Sequence, residues 1–293
     1  MEWQGGRRSE NVEDAPRAGG FGRPLAFGGG AVGIIGAILF YLLTGQVPDV
    51  QQMPAPGQVS PQAERPRTAA EQQQREFVSV VLASTEDTWS AVLPQQARVQ
   101  YVPPRLTLFQ EAVESACGFA QSAMGPFYCP PDQRVYLDLG FFDQLSRMGA
   151  PGEFARAYVV AHEVGHHVQN LLGIEGRVAA MRRAVGSRED SNALSVLTEL
   201  QADCYSGVWA HHANAHFQST GKAQLIQPGD IESGLAAAAS VGDDRLQRQS
   251  RGYVMPESFT HGSSAQRVGW FKTGMQTGEL RACDTFGKAG VRL

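Results

Sequence analysis

The rhythm of apolar and polar positions divides this chain into an N-terminal quarter without amphipathic periodicity and a remainder in which helical and strand periods alternate. Residues 25–47 carry no charged side chain, and the part from Ala31 to Leu43 is dense in Ile, Leu, Val, Ala and Phe. About 20 such residues cross a bilayer as a helix, so 25–47 reads as one transmembrane segment. Gly28, Gly29, Gly30, Gly33 and Gly36 dilute it, and a cleaved secretory signal is the alternative. Leu43-Thr44-Gly45 makes a poor cleavage site and the run is long for a signal core, which favours an uncleaved anchor. Residues 48–69 hold Pro48, Pro54, Pro56, Pro61 and Pro66 among Gln, Ala and Gly, the composition of an extended linker.

From Ala70 the pattern is that of a folded domain, 70–293. Phe77, Val80, Val81, Trp89 and Val92 suit one face of a helix that Pro94 interrupts or ends. Residues 105–109 and 134–139 alternate as strands, with Gly125, Pro126, Pro130 and Pro131 punctuating the interval. Between Glu153 and Leu172, Phe154, Tyr158, Ala161, Val164, Val168 and Leu171 recur at helical spacing, and Gly173 is placed to stop the helix. Further helices are expected over 190–210, with Gly207 near the end, and over 230–241; residues 252–293 are less regular. The expected fold is α+β and mostly helical, with a small sheet.

Composition excludes little. The 293 residues are 42% hydrophobic and 18% charged with a formal net charge of -4, so no global field points to nucleic acid. The distribution of charge says more. Arg7, Arg8, Arg17 and Arg23 precede the apolar stretch, whereas Arg65 is the first basic residue after it. The positive-inside rule then sets residues 1–24 as a cytoplasmic tail and the domain outside the cell membrane, in the periplasm. Cys117, Cys129, Cys204 and Cys283 are even in number and lack CxxC spacing, which suits two disulfides in an oxidising compartment. Of the three pairings, Cys117 with Cys129 and Cys204 with Cys283 is favoured; four buried free thiols are the alternative.

The candidate chemistry sits in His162-Glu163-Val164-Gly165-His166. Histidines four apart project from one helix face and can reach a single zinc ion, Zn2+. Glu163 is rotated about 100° around the axis, off the metal, where it suits a general base. Zinc lowers the pKa of water toward about 7, and a neighbouring carboxylate can take the proton as that water attacks a carbonyl. Two surface histidines beside a solvated glutamate are the alternative. A third ligand is needed, and Glu199-Leu200-Gln201-Ala202-Asp203 on the next helix offers Glu199, with Asp203 one turn on to fix a histidine tautomer. His261 and Tyr253 are candidate donors to the oxyanion of the reaction, or structural residues. His212 and His216, with His211 beside them, are expected to be solvated, His167 to be a neighbour only, and Asp243 and Asp244 to form a turn or cap.

The pattern HExxH followed by ExxxD resembles the gluzincin arrangement. The strings AHEVGHHVQN (161–170), ELQADCYSGVWA (199–210), GDDRLQ (242–247) and FTHGSSAQR (259–267), with GGRRSENVED (5–14) near the N-terminus, resemble the bacterial family named "putative neutral zinc metallopeptidase" over nearly the whole chain. The resemblance implies a membrane-anchored zincin-like peptidase acting on a peptide or protein. In zincins an edge strand holds the substrate backbone by strand addition, and residues 135–139 are the candidate edge. A zinc amidase or deacylase of envelope material would share every metal residue. So would a non-catalytic scaffold around a structural zinc, which needs a fourth protein ligand, for which His261 or Cys204 are candidates.

Overall fold

In the computed structural model, which describes residues 1–15, 67–122, 125–219, 224–227 and 229–293, a capping box opens the first helix. Thr68 Oγ1 accepts the Glu71 N–H at 3.2 Å, and the Glu71 carboxylate accepts the Thr68 N–H at 2.7 Å. Two of the donors that every helix start leaves unpaired are thereby satisfied. The helix α1 (Ala69–Ala97) buries Phe77, Val81, Leu82, Trp89 and Leu93 and runs through Pro94 rather than ending there. Pro94 lies in the last turn, where its missing N–H removes one intrahelical bond, to the Ser90 carbonyl, without ending the helix.

Among the described residues six strands form two sheets: β1 (Val12–Asp14), β2 (Arg105–Phe109), β3 (Ala112–Ser115), β4 (Gly118–Gln121), β5 (Phe127–Cys129) and β6 (Arg134–Asp138). The larger sheet has the order β1-β2-β6-β5, and β3-β4 is a separate hairpin. Strand β6 pairs in parallel with β2 and antiparallel with β5. It is therefore internal, and the expectation that 135–139 is a free edge is corrected: the antiparallel edge is β5. Val135, Tyr136, Leu137 and Asp138 are all buried, as a strand with neighbours on both sides and packing on both faces requires.

The helices are α2 (Phe141–Arg147), α3 (Glu153–Leu171), α4 (Ile174–Ala184), α5 (Arg188–Ser219), α6 (Asp230–Ser240), α7 (Asp243–Arg251), α8 (Ser264–Thr277) and α9 (Thr285–Lys288). Helix α3 is central, packed against α5, α6 and α1, while α5 also carries α8. Gly207, read from the sequence as a helix end, lies inside α5. Its role is a close approach: a Cβ there would overlap the Phe271 carbonyl of α8, and a Cβ on Gly274 would overlap the Cys204 carbonyl of α5. The helices touch backbone to backbone at these two glycines. A disulfide, Cys204–Cys283, ties α5 to the turn after α8, and Cys117–Cys129 ties the β3-β4 hairpin to β5.

The expected topology is contradicted. Residues 1–15 do not stand apart as a tail. Trp3 and Val12 belong to the main hydrophobic core, and the Trp3 ring meets Phe77 edge-on at 5.6 Å. Trp3 Nε1 donates to Glu153 at 2.8 Å, Arg7 forks onto Glu86 at 3.0 Å, and β1 pairs with β2. Two segments that share one core cannot lie on opposite sides of a bilayer, so a cytoplasmic tail joined by one crossing to a periplasmic domain does not describe this molecule. Among the described residues no helix is long and apolar enough to cross a membrane. The 25–47 segment and the 48–66 part of the linker lie outside the described residues. Trp3→Ala is expected to cost about 3 kcal/mol, the scale for emptying a buried aromatic site, measured by urea unfolding. No change in midpoint would show that the arm does not dock.

Candidate metal centre

Helix α3 places His162 and His166 one turn apart on one side, and α5 crosses it at Gly165, where a Cβ would stand 2.9 Å from the Ala202 carbonyl. This crossing brings Glu199 opposite the histidines. Its Oε2 is 3.2 Å from His162 Nε2, and its Oε1 is 3.5 Å from His166 Nε2. One ligand atom from each of the three residues lies within 4.8 Å of the others.

The far side of each ring is fixed. His162 Nδ1 donates to Asp203 Oδ1 at 2.9 Å, and His166 Nδ1 donates to Gln169 Oε1 at 2.9 Å. Both Nε2 lone pairs then face the Glu199 carboxylate. Three acceptors converging in a buried space repel one another unless a cation lies among them. Protons can serve in its place: burial pushes His166 down, but Glu199, Glu175 and Glu163 together push it up, to about 10. Burial likewise raises Glu199, but the charge of His166 and the hydrogen bond from His162 bring it well below the carboxylate range. Two imidazoles and a carboxylate are ligands that zinc prefers, and they leave a fourth position open. The residues fit the metal.

Asp203 is wholly buried and accepts from four donors. Arg267 reaches it through Nε at 2.8 Å and Nη2 at 2.9 Å, the Tyr158 hydroxyl donates to it, and His162 completes the set. Burial raises its pKa, and the Arg267 guanidinium, followed by His162, lowers it further, so it stays ionised. Tyr158 is held protonated, chiefly by burial. Glu163 is buried, 4% exposed, outside the three-residue cluster, and burial raises its carboxyl above the usual range.

His261 approaches α5 from the loop before α8. At its neighbour Gly262 (φ +90°) a Cβ would meet Leu200 at 3.1 Å, one residue from Glu199. Asp243 holds this loop: its Oδ2 accepts the backbone N–H groups of Thr260, His261 and Gly262 at 2.6–3.0 Å, and its Oδ1 lies 3.2 Å from His261 Nδ1. Asp243 is thus more than the turn residue expected, whereas Asp244 pairs with Ser264 as a capping residue would. Tyr253 is 58% exposed. His167 faces away from the cluster, between Tyr128 of β5 at 3.0 Å and the Val102 carbonyl at 2.6 Å. His211 and His212 are not simply solvated; they donate to the Met275 and Gly278 carbonyls at the end of α8. The side chain of His216 lies outside the described residues. Cys204 is in a disulfide and offers no thiolate for a fourth ligand.

Tyr158, Gln169 and Arg267 escaped the sequence reading. Tyr158 and Gln169 were within reach of it, standing four before His162 and three after His166 on the same helix. Arg267 closes the string FTHGSSAQR, but nothing in that string pairs it with Asp203, 64 residues earlier.

Two histidines one turn apart, a carboxylate from a second helix and a non-ligating glutamate form the residue pattern of a zinc metallopeptidase centre. The comparisons agree with that class. The chain belongs to the family described as "Putative neutral zinc metallopeptidase", which it matches over residues 1–286. It is 44% identical to the Escherichia coli K12 protein described as "Uncharacterized protein YpfJ", over 99% of this chain and 100% of that one. It is 47% identical to "Uncharacterized protein Rv2575" of Mycobacterium tuberculosis H37Rv, over 71% of this chain and 69% of that one, and to "Uncharacterized protein Mb2605" of Mycobacterium bovis to the same extent. No solved structure gives a significant match.

Proposed function

We propose that this protein is a zinc-dependent peptidase of zincin-like architecture in which His162, His166 and Glu199 hold the metal. The observation that carries the reading is the convergence of those three ligand atoms within 4.8 Å, with Glu163 beside them on the same helix. Zinc would supply Lewis acidity there, polarising the scissile carbonyl and making water acidic enough to lose a proton near neutral pH. Glu163 takes that proton and hands it to the leaving nitrogen; the burial that raises its pKa makes it a base matched to the task. Asp203 keeps the His162 ring in one tautomer and orientation. His261, clamped through Nδ1 and its backbone N–H by Asp243, is the candidate group for the oxyanion, to which its Nε2 donates only when the ring carries both protons.

A peptide is favoured over a small amide by the sheet. Strand β5 is an antiparallel edge tied to the active helix by Tyr128, which bonds His167 and accepts from Asn170 at 3.0 Å. An extended chain added to β5 would lie beside α3. The test is hydrolysis by the zinc-loaded protein of an unfolded polypeptide against acylated small amides. Cleavage of the polypeptide is expected; cleavage of the small amides alone would overturn the peptidase reading.

Metal loading should depend on pH with a definite sign. A protonated imidazole cannot ligate, and His166 in the metal-free protein holds its proton up to about pH 10. Zinc affinity therefore rises with pH across the neutral range. Calorimetry at pH 7.5 in buffers of different ionisation enthalpy should show at least about one proton released per zinc bound. Release of none would mean that zinc binds elsewhere.

A further inference from the structure

The two histidines are held from behind by separate routes, and both routes arrive at one disulfide. From His166 the path runs through two buried amides. Gln169 accepts from His166 Nδ1, and its Nε2 donates to the Thr198 carbonyl at 2.8 Å and to Gln201 Oε1 at 3.0 Å. Gln201 Nε2 then donates to the Cys283 carbonyl at 3.0 Å. From His162 the path is shorter: Asp203 holds the ring, and the next residue, Cys204, is bonded to Cys283. Gln169, Asp203, Cys204 and Cys283 are wholly buried and Gln201 is 4% exposed, so water has little access to replace a lost partner.

Each amide in the relay spends its oxygen on one neighbour and its nitrogen on the next. The direction of the Gln169 oxygen, and with it the His166 ring, is therefore set by the Thr198 carbonyl and, through Gln201, by where the Cys283 carbonyl stands. Residues 280–283 form a short turn after α8, and the Cys204 bond, with Cα atoms 5.6 Å apart, fixes that turn to α5. We propose that the Cys204–Cys283 disulfide and the Gln169–Gln201 relay are positioning elements of the metal site, which set its zinc affinity by holding the His166 ring from behind. The inference rests on the reading that His162, His166 and Glu199 bind zinc. It assigns this disulfide a task that Cys117–Cys129, on the β3-β4 hairpin and β5, does not share.

The test is zinc affinity by competition with a chelator, at a temperature well below unfolding, for the wild type, Gln201→Leu, Cys204→Ala/Cys283→Ala and Cys117→Ala/Cys129→Ala. Gln201→Leu and Cys204→Ala/Cys283→Ala are expected to weaken zinc by about 10- to 100-fold, the usual effect of losing an outer partner of a ligand. Both should also shift the visible spectrum of the cobalt-substituted protein, and Cys117→Ala/Cys129→Ala should match the wild type in both measurements. Should Cys204→Ala/Cys283→Ala fail to fold, Gln201→Leu decides alone. Wild-type affinity in Gln201→Leu, or equal weakening in Cys117→Ala/Cys129→Ala, overturns the inference and leaves the zinc reading standing. A wild type that binds no zinc overturns both.

Discussion

Glu163→Gln is expected to reduce polypeptide hydrolysis by about 100- to 10,000-fold, the range for removing a positioned general base, while the protein keeps its zinc. Glutamine has the same shape and cannot take a proton. The side chain is buried on α3 beside His162 but outside the His162–His166–Glu199 cluster, so its replacement should leave the ligands in place. Turnover on an unfolded protein, with zinc per chain measured on the same sample, separates base from ligand. Loss of the metal together with the activity would make Glu163 a ligand or a structural residue. Activity within tenfold of the wild type would remove it from the chemistry.

Asp203→Ala should be the most damaging single substitution away from the ligands. The carboxylate is the common acceptor of Arg267, Tyr158 and His162, all buried. Without it the Arg267 guanidinium stays in the interior with no hydrogen-bonded counter-charge. Breaking a buried pair from one side costs roughly 3–5 kcal/mol, and zinc should weaken by about 10- to 100-fold because the His162 ring loses its anchor. The double substitution Asp203→Ala/Arg267→Met separates the two effects: stability in urea should largely return, since no charge is stranded, while zinc affinity should not. A single variant within about 1 kcal/mol of the wild type would show that Asp203 does not carry the network the geometry gives it.

What the sequence disclosed about this molecule followed from spacing within single elements. His162, Glu163 and His166, and then Glu199 and Asp203, lie at i, i+1 and i+4 positions whose directions a helix dictates. The two helices that carry them were expected over 153–172 and 190–210, and the structure has α3 over Glu153–Leu171 and α5 over Arg188–Ser219. What stayed hidden depends on contacts between elements. That β6 is internal and β5 the edge is a matter of strand order, which alternation does not encode. Gly207 reads as a stop because glycine disfavours helix interiors, yet here it admits the α8 backbone. The Arg267–Asp203 pair spans 64 residues, and the docking of Trp3 on Phe77 spans more. Helix α8, in the stretch read as irregular, had a local signal: Ser263 and Gln266 form its capping box.

The most direct test of the account is X-ray absorption at the zinc edge on the metal-loaded protein. Two imidazole nitrogens at about 2.0–2.1 Å and carboxylate oxygen at about 2.0–2.2 Å are expected, with no sulfur near 2.3 Å, and the signal should vanish with Glu199→Ala. A sulfur scatterer, or an unchanged spectrum in Glu199→Ala, would contradict the assignment of His162, His166 and Glu199 as the ligands.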